Sequence, residues 1–341
     1  MSEQLTLDIP ARTIIKVILV LLAVVFLYLL RDVLIVLLFS IVIASAISPF
    51  VARLEQKRVP RIVSVVLLYV LLFGALTVLL TFAIPIMAKE LNDLTKVVPG
   101  FFEPLPENGS PRYLDFITRF QTFLETSTRT LEVSSGSIVT SLIDLFGGFV
   151  SFVSIIVISF YFSVMPQGVA GFLKSIIPDA HEGYAISLWK RAEYKVGKWL
   201  QGQLLLALIV GVLVFVGLSL LNIKYALLLG IAAMVFELIP YVGPIMAAVP
   251  AVTLAFLQAP IMGLWVLLFY VAVQQVENQL LTPFILGKTT GLHPVAVVIA
   301  LLIGGKLAGI LGILLAVPVA VVVVEIFDDL AERRLSPSGG R

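Results

Sequence analysis

Phe236-Glu237-Leu238-Ile239-Pro240-Tyr241-Val242-Gly243-Pro244 sets a carboxylate, two prolines and a glycine inside a strongly apolar region running from Tyr225 to Val324. Proline removes a backbone donor and clashes with the preceding turn, so two of them within five residues break any helix that passes through. A second interrupted run follows. Pro294 to Ile303 is apolar, Gly304-Gly305-Lys306 breaks it, and Leu307 to Val324 resumes it. Sliding one run on the other by 68 positions lays Ala248-Val249-Pro250 on Ala316-Val317-Pro318 and Glu237 on Gly305. This reads as a weak internal duplication, each copy being helix, irregular break, helix. Broken backbone at bilayer depth is tolerated only where it is buried in protein or lines a cavity. Paired broken segments in a membrane domain point to a transport site.

The rest of the chain supplies the membrane. Of 341 residues, 60% are hydrophobic and 13% charged, against roughly 45–50% and 25% for soluble domains. With a mean hydropathy of +1.10, the fold class is an all-α polytopic membrane protein of about eight membrane segments. Two of these are broken or re-entrant helix pairs in the C-terminal half. A net charge of +2 gives no footprint for nucleic acid. Without cysteine, disulfides, thiolate metal sites and cysteine nucleophiles are excluded. No serine–histidine, paired-aspartate or metal motif lies in the spans, and no nucleotide-binding loop is present, so the chain does not read as an enzyme.

Taken in order, residues 1–12 are a short polar N-terminus, and the apolar run after them flows into a second span rather than a signal-peptide cleavage site. Residues 13–88 hold three spans, with Pro85 expected to kink or end the third. Arg53, Lys57, Arg58 and Arg61 cluster between the second and third, which places that loop and the N-terminus in the cytoplasm. Residues 89–141 are polar and proline-punctuated and are read as an extracytoplasmic segment, with an amphipathic helix expected over Tyr113 to Leu131. Residues 142–165 form a fourth span. Residues 166–201 carry Lys174, Lys190, Arg191, Lys195 and Lys198 opposite Leu188, Ala192, Val196 and Trp199, the pattern of a cytoplasmic helix lying along the membrane surface. Residues 202–324 form the expected transport core, and 325–341 a charged cytoplasmic tail. The two broken runs either both cross or both dip in and return. Either way both termini are cytoplasmic, because the options differ by an even number of crossings.

Within the core, Glu237 is the first candidate. An acidic side chain at bilayer depth costs several kcal/mol unless it faces a cavity or a partner. At a helix break it can carry a proton or ligate a cation together with carbonyls freed near Pro240 and Gly243; alternatively it caps the broken helix ends or pairs with Lys306. Lys306, the one formal positive charge in the second broken run, either neutralises Glu237, meets an anionic or hydroxyl-rich solute, or snorkels to the surface. Gln274, Asn278 and Thr282 stand at i, i+4 and i+8, one polar stripe, flanked by Gln275 and Gln279, with Glu277 toward the same end. Such a stripe lines a pathway or bonds helices together. Pro240, Gly243, Pro244, Gly304, Gly305, Gly309 and Gly312 are read as backbone-shaping hinge and break positions. His293, before Pro294 at a helix start, is read as a helix cap or an interface residue rather than a proton relay.

Four blocks then stand in a recognisable order: Glu237 to Pro244, Thr282-Pro283-Phe284-Ile285-Leu286-Gly287, Gly291-Leu292-His293-Pro294, and Gly309 to Pro318. In order and spacing they resemble the autoinducer-2 exporter family of bacterial permeases, and the likeness spans most of Gly202 to Val324. The N-terminal half fits in layout alone. The resemblance implies a multi-pass inner-membrane transporter that is homo-oligomeric and needs no cofactor, its partners being the lipid bilayer, other copies of itself, and a small solute or cation. Members are described as exporters of the signal autoinducer-2 and others as sodium/proton antiporters. The family therefore fixes transport and leaves open the solute and any transported Na+ or H+. Antiport requires Glu237 or Glu277 to exchange protons; solute export rests mainly on the amide stripe.

Overall fold

The computed structural model describes residues 11–102, 146–165, 168–287 and 291–335, with the single positions 118, 119, 122, 126 and 143. Among the described residues the fold is all-helical. The first group is α1 (Ala11–Leu29), α2 (Arg31–Gln56), α3 (Arg61–Phe102), α4 (Phe149–Val164) and α5 (Gly168–Ile176). The second is α6 (Asp179–Leu220), α7 (Ala226–Phe236), α8 (Val242–Gln258), α9 (Pro260–Val276), a π-helical turn (Glu277–Leu281), α10 (Thr282–Ile285) and α11 (Pro294–Leu335). Among the described residues, five helical stretches have the length and apolar composition to cross a membrane: Arg31–Gln56, Arg61–Glu90, Glu182–Leu220, Pro260–Ile285 and Pro294–Ala331, the last interrupted at Ala308–Gly309. This is a polytopic membrane protein.

The outward face of these helices is apolar because lipid is its solvent, so what holds the bundle is close packing and internal polar ties. Serines and a tyrosine tie α2, α3 and α4 together. The Tyr69 hydroxyl donates to Ser159 Oγ at 2.8 Å, and Ser40 Oγ donates to the Ile155 carbonyl at 3.2 Å. Val51 and Val65 fill the space between them without solvent contact. At the end of α2, Arg61 binds the Ser163 carbonyl at 2.9 Å and Glu55 at 3.3 Å. Of the two outcomes expected at Pro85, a kink or an end, the helix does not end there: α3 runs on to Phe102. The amphipathic helix expected over 113–131 lies outside the described residues.

Helix α6 is the spine. The basic segment expected to lie along the membrane surface instead continues without a break into the following span, 42 residues in all. The reason is packing: Ala192, Val196 and Trp199 are buried, the last two in a cluster with Phe39 and Val42 of α2 and Val321 of α11. Gly197 permits the approach to α2, since a Cβ there would lie 2.2 Å from the Ser45 carbonyl oxygen. Gln201 Nε2 donates to the Ala46 carbonyl at 2.6 Å. Near its start α6 also grips α11: Arg191 Nε donates to Glu325 Oε1 at 2.6 Å, Lys195 binds the other oxygen of Glu325, and Arg191 also binds Asp329. Glu325, expected in a loose tail, is thus buried in a helix that runs to Leu335. Glu325→Ala removes the shared acceptor of two cations and is expected to cost roughly 1–3 kcal/mol, read as a lowered melting temperature in detergent.

Both broken runs are helical hairpins. α7 and α8 pack on each other across the break; at 11 and 17 residues they rise about 16 and 26 Å, short of a ~30 Å hydrocarbon core. In α11 the expected break at Gly304-Gly305-Lys306 is helical; the interruption falls just beyond, at Ala308 (φ −143°, ψ 19°) and Gly309 (φ 59°, ψ −137°), and arms 294–307 and 310–335 fold back together. In a straight helix Gly304 and Gly312 would stand about 12 Å apart. Here a Cβ on Gly312 would lie 1.9 Å from the Gly304 carbonyl oxygen, and one on Gly304 2.3 Å from that of Gly312. The shift of 68 positions carries over into geometry. It lays Tyr241 (φ 65°) on Gly309, and Phe236, whose carbonyl abuts Gly243, on Gly304.

Candidate functional site

The first hairpin turns because α7 runs out of donors. Its last turn closes through Glu237 N–H to the Ala233 carbonyl at 2.9 Å and Ile239 N–H to the Phe236 carbonyl at 2.9 Å. Pro240 has no N–H to continue the ladder, and Tyr241 at φ 65° reverses the chain. Gly243 N–H then returns to the Ile239 carbonyl at 2.8 Å. A side chain at Gly243 would lie 2.0 Å from the Phe236 carbonyl oxygen, so this position must be glycine. The turn leaves Glu237 at the C-terminal end of α7, pointing into the bundle at 2% exposure.

A second device brings its partner. The turn over Glu277–Leu281 is π-helical, with Thr282 N–H donating to the Glu277 carbonyl five residues back. π-Bulges re-aim side chains and occur often at functional sites. This one sends Glu277 into the core, at 6% exposure, while Asn278 and Gln279 stay on the surface. The carboxyl groups of Glu237 and Glu277 line the same small void there. A carboxylate has only acceptors, so a direct bond between the two forms only with a proton on one of them. The pair borders a void of about 10 Å³, lined also by Val210, Val214, Ala233, Pro244, Ala247, Tyr270, Val273 and Gln274. Three buried oxygens at this place lack a partner: Glu237 Oε2, Glu277 Oε2 and the Tyr270 hydroxyl. Buried polar atoms are nearly always satisfied, so a cluster of three that are not marks a place for a small ligand. The void has room for about one water or a bare cation.

Gln203 on α6 fixes the pair from behind. Its Nε2 donates to the Glu237 backbone carbonyl at 2.5 Å, with Gln203 itself 2% exposed. Farther up the hairpin, Glu90 on α3 accepts from the Leu228 N–H at 3.0 Å, capping the start of α7.

The sequence candidates fall in separate places. Glu237, Pro244, Gln274 and Glu277 come together around the void, with Pro240 and Gly243 shaping the turn. The expected Glu237–Lys306 pairing does not form: Lys306 is exposed on the second hairpin, without an ion pair among the described residues. The amide stripe exists in altered form. Gln274 Nε2 donates to Asn278 Oδ1 at 3.4 Å and Gln279 Nε2 to Gln275 Oε1 at 2.9 Å, but the π turn adds a residue before Thr282 and breaks the i, i+4, i+8 line. Gly304, Gly305, Gly309 and Gly312 shape the second hairpin, away from the void. His293 caps α11, its Nδ1 accepting from Val295 N–H at 3.3 Å. Gln203, Tyr270 and Glu90 were not singled out from the sequence. Gln203 carried a signal, a second amide beside Gln201 at the edge of a span; Tyr270 and Glu90 carried none.

Buried acids at broken helices within a polytopic bundle define a membrane transport protein. The chain belongs to the AI-2E transporter family, whose sequence profile it matches over residues 17–332. It is 29% identical over 293 residues to YueF of Bacillus subtilis (strain 168), covering 82% of this chain and 79% of that protein. To YrrI of the same organism it is 29% identical over 302 residues, covering 86% and 85%. To the AI-2 transport protein TqsA of Escherichia coli (strain K12) it is 24% identical over 299 residues, covering 83% and 82%.

Proposed function

We propose that this protein is a proton-coupled transporter that moves a small hydrophilic solute across the bacterial inner membrane by alternating access. The observation that carries the proposal is the Glu237–Glu277 pair, two buried carboxyl groups lining one small void with unpartnered oxygens. In the proposed cycle the pair holds a proton in one state and releases it when a moving hairpin opens the void. The exposed amides Gln275, Asn278 and Gln279 line the solute path. By the name of TqsA, the solute is an AI-2-like signal. Residues 202–324 act as the moving core and the first four helices as scaffold and self-contact. The hairpins enter from opposite faces as an inverted repeat, with both termini in the cytoplasm.

A second reading, antiport of Na+ or Li+ against H+, is favoured by the void's size, which suits a dehydrated monovalent ion and no organic solute. The test is reconstitution in liposomes with a pH dye inside. Proton movement driven by Na+ or Li+ alone supports antiport; movement only with an added polyhydroxylated solute supports coupled export. A well-folded sample that moves no protons under either gradient overturns the coupling role of the pair.

A further inference from the structure

The void holding the acid pair is sealed on nearly every side. Val210, Val214, Ala233, Ala247, Tyr270 and Val273 are all buried. Only two of its lining residues reach partway to the surface, Pro244 and Gln274. Pro244 offers no hydrogen-bonding side chain. Gln274 lines the void together with Glu277 and bonds outward, through Nε2, to Asn278 Oδ1 at 3.4 Å. Asn278 stands on the exposed amide face beside Gln279. One carboxamide therefore lines the void of the buried acids and at the same time reaches the exposed amide face.

We propose that Gln274 is the gate of the acid site, its side chain closing the route by which a proton or small cation exchanges between Glu237–Glu277 and the amide face. A carboxamide suits this place. It bonds to an acid in either protonation state, because it presents both donors and an acceptor. Its swing about the side-chain torsions opens the route without moving the backbone. The Asn278 bond, at the long end of the hydrogen-bond range, is weak enough to yield. The gate rests on the reading of the acid pair as the coupling site, and access to the void can be measured apart from transport.

The chain has no cysteine, so Val273→Cys gives the void a single thiol of similar size. Reaction of this thiol with a charged, membrane-impermeant methanethiosulfonate is followed in the full chain in liposomes. Removing the gate with Gln274→Ala is expected to speed the reaction at least about tenfold, since such exchange rates follow access. Gln274→Leu, of similar bulk, is expected to return it to the slow rate, which separates a steric gate from general loosening. Pro244→Ala is expected to change nothing. Equal rates with and without Gln274→Ala overturn the proposal, as does acceleration by Pro244→Ala instead. The labelling is read whether or not protons move, so absence of proton flux counts against the coupling reading and leaves the gate standing or falling on its own rates.

Discussion

Glu237→Gln is expected to reduce proton movement through the reconstituted protein to the level of protein-free liposomes while leaving the fold intact. Glutamine matches glutamate in shape and can still bond Glu277, because its amide N–H can donate to the remaining carboxyl. The stability change should stay within about 1 kcal/mol, the net worth of one exchanged hydrogen bond. What is lost is a group that can take up and release a proton. Glu277→Gln should do the same, since the pair shares the proton. Lys306→Gln should leave flux unchanged, because Lys306 is exposed and apart from the acids. Labelling by a hydrophobic carbodiimide, which attacks protonated carboxyls, gives a readout without transport. Wild type should label at Glu237 or Glu277 and lose labelling as pH rises, and the double Gln variant should not label there. Full proton flux in Glu237→Gln would remove this residue from the mechanism.

The path from sequence to this site was partly open. Apolar runs gave the helices, because lipid selects residues one by one and leaves a signal along the chain. The first break was legible for the same reason, Pro240 and Pro244 standing close together in an apolar run. The second was legible as a break but misplaced: Gly304-Gly305-Lys306 are helical and the chain turns at Ala308–Gly309, the position that the shift of 68 lays under Tyr241. The partner of Glu237 was not legible. Which of the polar residues from Gln274 to Gln279 faces inward depends on a π turn, and a one-residue slip leaves no mark in helical spacing. With an ideal helix assumed, Glu277 sat beside the stripe and Lys306 looked like the natural counter-charge. The unbroken α6 was hidden in a different way. Its cations suggested a surface helix, yet two of them, Arg191 and Lys195, are answered by Glu325, more than a hundred residues on.

Gly312→Ala is expected to be among the most damaging small substitutions at the described residues. The added Cβ would lie 1.9 Å from the Gly304 carbonyl oxygen and 2.6 Å from its carbon. Both are backbone atoms, so no side-chain rotation relieves the clash, and the two arms of α11 must move apart. Overpacking of this kind costs at least about 3 kcal/mol where nothing can give. Thermal melting in detergent, with size-exclusion profiles, is the measurement. Gly309→Ala meets no atom within 4 Å but must hold φ 59°, a strain of about 1–3 kcal/mol, so it should fall between. Gly74→Ala, in a helix with open space around it, should stabilise by up to about 1 kcal/mol. Gly243→Ala is the counterpart at the first hairpin, its Cβ 2.0 Å from the Phe236 carbonyl and 3.1 Å from the Glu237 nitrogen. It should destabilise as strongly as Gly312→Ala and also displace the acid. The comparison therefore carries mechanism as well as stability. If the hairpins act independently, only Gly243→Ala changes carbodiimide labelling of the pair. If α6, bonded to Glu237 through Gln203 and to α11 through Arg191 and Lys195, couples them rigidly, a strain at Gly312 reaches the acids too, and labelling changes in both.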